Sequence, residues 1–106
     1  MNVYSIKFDE MSCHWSTDQN YNLYYLISLE RHFNDCLSSR GYVFLSEVYG
    51  KLDIPLSKRM LLAGWVYTGI RNIIPQINFK LFPQQDGSII VDFGNVEDDI
   101  SYHFED

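Results

Sequence analysis

Residues 76–93 constrain this chain most, because they can only fold as a β-hairpin. Ile77, Phe79 and Leu81 alternate with polar residues over 76–82, and period two with one apolar face is the mark of a half-buried strand. Pro83-Gln84-Gln85-Asp86-Gly87 then supplies a turn, since Asp-Gly readily takes the positive φ that a tight reversal needs. Residues 88–93 return as the second strand. A hairpin is marginal alone, so the rest of the chain must cover its apolar face.

Residues 21–39 provide the cover. Leu26, Leu29, Phe33, Cys36 and Leu37 step by three and four, which draws one apolar stripe along a helix. Ser28, Glu30, Arg31, Asn34, Asp35 and Ser38 fall on the other face. Thr17, Asp18 and Asn20 are candidate N-caps, and Gly41 stands where a left-handed C-terminal glycine belongs. The spacing of Phe44, Leu45, Val48, Tyr49 and Leu52 predicts a second helix over 43–52, stopped by Asp53-Ile54-Pro55. Residues 2–8 alternate as a short strand, with Tyr4, Ile6 and Phe8 on one face, and 9–20 read as a loop. Ser57 can open a single turn through Met60. Residues 61–67 form an unbroken apolar run suited to a strand covered on both faces, with a helix over 57–67 as the competing reading. Residues 68–75 connect this run to the hairpin. In the tail, Ile100, Tyr102 and Phe104 alternate and predict an edge strand. The expected architecture is a single α+β domain over 1–106, with two helices packed on a small, mostly antiparallel sheet of three to five strands. Its acidic C-terminal segment is 95–106.

Charge is distributed unevenly. Residues 1–91 hold eight acidic and eight basic side chains, whereas 92–106 hold Asp92, Glu97, Asp98, Asp99, Glu105 and Asp106 and no Lys or Arg. The largest basic cluster is Lys58-Arg59, too small to displace the counterions of a nucleic acid, so direct nucleic-acid binding is not expected. No apolar run approaches the roughly 18 residues of a membrane span, and residues 1–10 carry no secretory pattern. A cytoplasmic protein of a bacterial host, with Cys13 and Cys36 as free thiols, is the expectation.

Arg40-Gly41, Phe44-Leu45-Ser46-Glu47-Val48-Tyr49, Gly64-Trp65 and Asp92-Phe93-Gly94 together resemble a family of small uncharacterised proteins of Gram-positive phages and integrative mobile elements. There an Arg-Gly and a Phe-Leu-Asn-Glu-Val-Tyr segment precede Gly-Trp and a late Asp-Phe-Gly. Ser46 stands at the Asn position, and the resemblance spans residues 26–94. It implies an α+β fold and a mobile-element setting, in which small inhibitors of host defence, anti-CRISPR proteins among them, are common. It carries over no enzymatic activity and no cofactor to this chain.

Residue by residue, catalysis finds little support. His32 and Cys36 share a helix face at i, i+4, and Cys13-His14 adds two further zinc-type ligands, but adjacent ligands diverge and a Cys on an apolar stripe is ordinary packing. Cys13 beside His14 lacks a set of oxyanion-hole glycines. Asp92-Phe93-Gly94 stands without the other kinase motifs, and the glycines are too dispersed to cradle phosphate. Asp9-Glu10 and Glu97-Asp98-Asp99 are sequence neighbours rather than carboxylates set across a cleft, and they lack a calcium-loop spacing.

Interaction is the better reading. Eight Tyr, seven Phe and two Trp exceed what a small core holds, which leaves aromatic rings for a contact surface. Trp65 belongs to the core. Trp15, alone in a polar loop, is either a plug over the core or an exposed anchor. The predicted partner-binding residues are Trp15, Glu97, Asp98, Asp99, Tyr102, Glu105 and Asp106. The expected partner is a larger host or element protein, met through a basic surface. A structural or assembly component, or a toxin-neutralising immunity protein, is the alternative.

Overall fold

The computed structural model describes residues 4–12, 14–67 and 77–104, with backbone only at Tyr102 and His103. Cys13, the connection over 68–75, Glu105 and Asp106 lie outside the described residues. So do residues 2 and 3 of the first expected strand and residue 76 of the hairpin.

The longest element is helix α1, Gln19–Arg40. Asp18 caps it by accepting a hydrogen bond from the Asn20 N–H at 3.0 Å. Gly41 closes it in the left-handed region at φ 91°, where its N–H reaches the Leu37 carbonyl. Leu26, Leu29, Phe33 and Leu37 are buried, as the stripe required, and each removes enough apolar surface from water to contribute about 1.5–3 kcal/mol. Asn22 is also fully buried. Its side chain exchanges two hydrogen bonds with the Ser16 backbone, at 2.7 and 2.8 Å, and so ties the preceding loop to the helix.

Strands β1 (Ser5–Phe8), β4 (Lys80–Pro83) and β5 (Ile89–Asp92) form an antiparallel sheet in the order β1-β5-β4. Ser5 pairs with Asp92 and Phe8 with Ile89 on one side, while Lys80 pairs with Asp92 and Pro83 with Ile89 on the other. The central strand alternates as a covered strand should, with Ile89 and Val91 fully buried. Gly87 turns the hairpin at φ 91°, and the Asp86 carboxylate accepts from both the Ser88 N–H and its hydroxyl. The hairpin's regular pairing starts at Lys80, later than expected, because residues 77–79 bond to α1 instead. Asn34 exchanges two hydrogen bonds with the Ile77 backbone at 2.9 and 3.1 Å, and Glu30 accepts from the Phe79 N–H at 2.7 Å. Glu30 and Asn34 are therefore half-buried clasps rather than members of a solvated face.

A second, two-stranded sheet pairs β2 (Tyr42–Phe44) with β3 (Gly64–Val66). The predicted helix 43–52 thus starts later, as α2 over Leu45–Lys51. The left-handed Gly41 sends the chain out of α1 extended, and Glu47 fixes the new start by accepting the Phe44 N–H at 2.9 Å. Every residue of β3 is buried, which makes the centre of the 61–67 run a strand, whereas Leu61 and Leu62, expected within it, lie exposed in a turn that follows a 3₁₀ turn at Lys58–Met60. Gly64 is required by space. A Cβ there would sit 2.2 Å from the Val43 carbonyl oxygen.

The predicted edge strand of the tail is overturned. Glu97 makes one antiparallel bridge to Gly64, the Ile100 N–H bonds to the Leu62 carbonyl, and Ile100 is fully buried. Residues Ser101–Phe104 then wind into a 3₁₀ turn. Asp99 starts that turn by accepting the Ser101 N–H at 2.8 Å, a local bond that competes with strand pairing. The outcome is an α+β fold of two helices with antiparallel sheets of three and two strands.

Candidate functional site

Tyr21, Tyr24, Tyr25 and Ser28 are spaced i, i+3, i+4 and i+7 on α1, so they share one surface of its N-terminal half. Tyr25 forms the fixed part. Its ring stacks on Phe8 at 6.2 Å and on His14 at 5.2 Å, and its hydroxyl donates to the Lys51 carbonyl at 2.9 Å. Tyr21 and Tyr24 stand out from the surface, 58% and 75% exposed. Between them and Asp18, Asn20 and Ser28 runs an open groove of about 420 Å³. Ile27, one turn beyond Tyr24, extends the exposed apolar surface. Exposed tyrosines held on a capped helix offer wide contact area with little rotamer entropy to lose.

The residues singled out from sequence do not gather here. Trp15 is half-buried against the core, and its indole N–H has no hydrogen-bond partner among the described residues. It lies at the hairpin turn, where a methyl on Gly87 would be 4.0 Å from its ring. The acidic segment lies at the opposite end of the sheet. There Asp98 accepts a hydrogen bond from the Tyr4 hydroxyl, which is the residue before β1. That bond, helped by burial, pushes the Tyr4 phenol up to about 12. Asp99 is held below the ordinary carboxylate range by the Ser101 bond. Glu97 joins β3 through its backbone. Tyr102 falls within the 3₁₀ turn, and Phe104 beside it packs on Tyr42 and Phe44, with ring centroids at 4.8 and 5.8 Å. Trp15 and the acidic segment are therefore two separate regions.

The described zinc-type residues separate in the same way. His14 stacks on Tyr25, whereas His32 lies two turns further along α1, with Nε2 3.7 Å from Cys36 Sγ. Two turns are about 11 Å of helix, too far for ligands of one ion. Among the described residues no three His, Cys, Asp or Glu side chains converge. No helix among them is long and apolar enough to cross a membrane.

The motifs that carried the family resemblance all have structural work. Arg40 reaches both carboxylate oxygens of Glu47 at 2.5 Å, and its guanidinium lies 4.6 Å from the Tyr42 ring centroid. Leu45, Val48 and Tyr49 are buried, as is Trp65. Phe93 is fully buried between Tyr49 and Phe79, and Gly94 turns at φ 72° with its N–H on Asp92. Such a pattern identifies a fold rather than a reaction. The model of a family of unknown function, DUF6353, matches residues 1–102. The chain belongs to that family. No curated protein and no solved structure matches it. In this DUF6353 member the pattern residues build β2, α2, β3 and the end of β5, while the tyrosine groove stands outside the pattern.

The tyrosine surface was missed in the sequence, although a signal was present. Tyr21 and Tyr24, spaced i, i+3 and off the Leu26–Leu37 stripe, fall on the side of the helix turned from the core.

Proposed function

We propose that this chain is a protein-binding module that works through the tyrosine groove of α1. The carrying observation is the exposure of Tyr21 and Tyr24 beside a rigidly held Tyr25, in a helix whose opposite stripe is fully committed to the core. A solvated helix face is ordinarily charged. Two large aromatic rings left in water on such a face favour a partner that removes them from it. The resemblance to small proteins of Gram-positive phages and integrative elements supplies the setting. In it the partner is a larger host enzyme, of the defence type, whose action the bound module inhibits or modulates.

The acidic segment is a secondary contact in this reading. Asp98 accepts from the Tyr4 hydroxyl and Asp99 from the Ser101 N–H, which leaves them less available than the tyrosines. Capture from a host lysate tests the order. Tyr21→Ala/Tyr24→Ala should lose the partner that the unaltered chain retains, while Glu97→Gln/Asp99→Asn should retain most of it. Equal recovery by all three would remove the groove from the mechanism.

A role as an assembly component has one observation of its own. Phe82 is 50% exposed on β4, an outer strand of its sheet. Concentration-dependent light scattering that disappears in Phe82→Ser would favour that role.

A further inference from the structure

The surroundings of the groove say which chemistry it takes. Residues 9–28 contain Asp9, Glu10 and Asp18 and no Lys or Arg. Asp18 lines the groove itself. Asp9 and Glu10 belong to the loop that is fastened beside it: the Asp9 backbone carbonyl accepts from the Ser12 N–H, the Ser12 hydroxyl donates to the Leu52 carbonyl, and the next described residue, His14, stacks on Tyr25. Asp53 follows Leu52 directly, exposed and at φ 58°, a left-handed conformation that Asp tolerates. Two bases are near, Lys51 behind Tyr25 and Arg31 one turn beyond Ser28 on α1, and Lys7 is paired with Asp86 at 3.4 Å.

From this we infer that the groove takes a Lys- or Arg-bearing segment of the partner, with cationic side chains laid over Tyr21 and Tyr24 and drawn in by the surrounding carboxylates. The inference rests on the binding-module reading and specifies its partner. Ring faces are negative and attract cations, Arg above all. The same carboxylates disfavour the other occupants. An anionic partner meets like charge, and a purely apolar helix would desolvate Asp18 without compensation.

Three labelled peptides of equal length serve as probes: one arginine- and lysine-bearing, one glutamate-bearing and one neutral and apolar. The basic peptide should bind, shift the backbone resonances of residues 14 and 18–28, and weaken strongly as salt is raised. Tyr24→Leu, which keeps apolar area and loses the ring, should weaken it about tenfold, and Tyr24→Phe should restore most of that loss. Asp35→Asn, exposed on α1 but outside the groove, should leave it unchanged. Equal binding of the neutral peptide, equal binding by Tyr24→Leu, or shifts centred on residues 97–99 would each overturn the proposal. So would no binding of the basic peptide at low salt. In that last case, capture that still depends on Tyr21 and Tyr24 would leave the docking surface standing, and capture independent of them would remove both.

Discussion

Gly64 and Gly50 ask opposite things of one methyl group. Gly64→Ala would drive its Cβ into the Val43 carbonyl at 2.2 Å, a backbone atom that cannot swing aside. The expected loss is about 3 kcal/mol in urea unfolding. Gly50 sits in α2, exposed, with nothing within 4 Å of a new Cβ. Gly50→Ala should therefore stabilise by about 0.5–1 kcal/mol, through the unfolded chain's lost freedom. If both substitutions proved neutral, the close approach of β2 and β3 would be wrong. Tyr4 offers a second test at this scale. Its folded pKa is raised from 10.0 to about 12, first by the hydrogen bond to Asp98. Its contribution to stability is thus complete below pH 10 and is lost as pH rises toward 12. Phenolate absorbance should show late titration of Tyr4 and of Tyr49, whose phenol is raised by burial, and Asp98→Ala should bring down only the Tyr4 part. Asp86 works in the other direction. The Ser88 bonds hold it at about 2, so its contribution is present above the ordinary carboxylate range and fades as pH falls toward 2.

At the scale of elements, polar side chains of α1 act as a substitute strand. The backbone of residues 77–79 approaches the hairpin before β4 begins, and Asn34 and Glu30 satisfy three of its polar groups. Asn34→Ala would leave the buried Ile77 with neither its N–H nor its carbonyl bonded to that helix. The expected cost is about 1–3 kcal/mol, larger than for an exposed polar residue of the same helix such as Asp35. Amide hydrogen exchange at Ile77 should accelerate in that variant and not in Asp35→Ala. The Arg40–Glu47 pair is about a third exposed on both sides, so its ionic part contributes little. Glu47 matters more for where α2 starts than for its charge pairing.

For the whole molecule, the tail is an integral layer. Ile100 is fully buried, Glu97 bridges β3, and Asp98 ties the tail to the start of β1. Removal of residues 95–106 should cost about 3 kcal/mol or more, in line with the loss of one fully buried isoleucine and its hydrogen bonds. Thermal unfolding measures it, and an unchanged midpoint would show the tail to be a separable appendage. By contrast, Tyr21→Ala/Tyr24→Ala should leave the midpoint within ordinary surface variation, since both rings are exposed.

Local rules were enough for the helix stripe, its Gly41 end, the hairpin turn and a strand within residues 61–67. Each is decided by periodicity or by the torsions that one residue permits, within a few positions of sequence. Local rules failed where a distant partner sets the outcome. Three residues of β2 carry no readable period, and they are a strand because Val43 meets Trp65. The tail alternates by chance, and it turns because Asp99 bonds to Ser101 after Ile100 has entered the core. Trp15 and the carboxylates of 97–99 looked like one surface in a list of residues, yet antiparallel pairing of β1 with β5 puts them at opposite ends of a sheet. Helical spacing alone placed Tyr21, Tyr24 and Tyr25 on one face. Only tertiary contacts fixed which of them would be held: Tyr25 stacks on Phe8 and His14, while Tyr21 and Tyr24 stand in water.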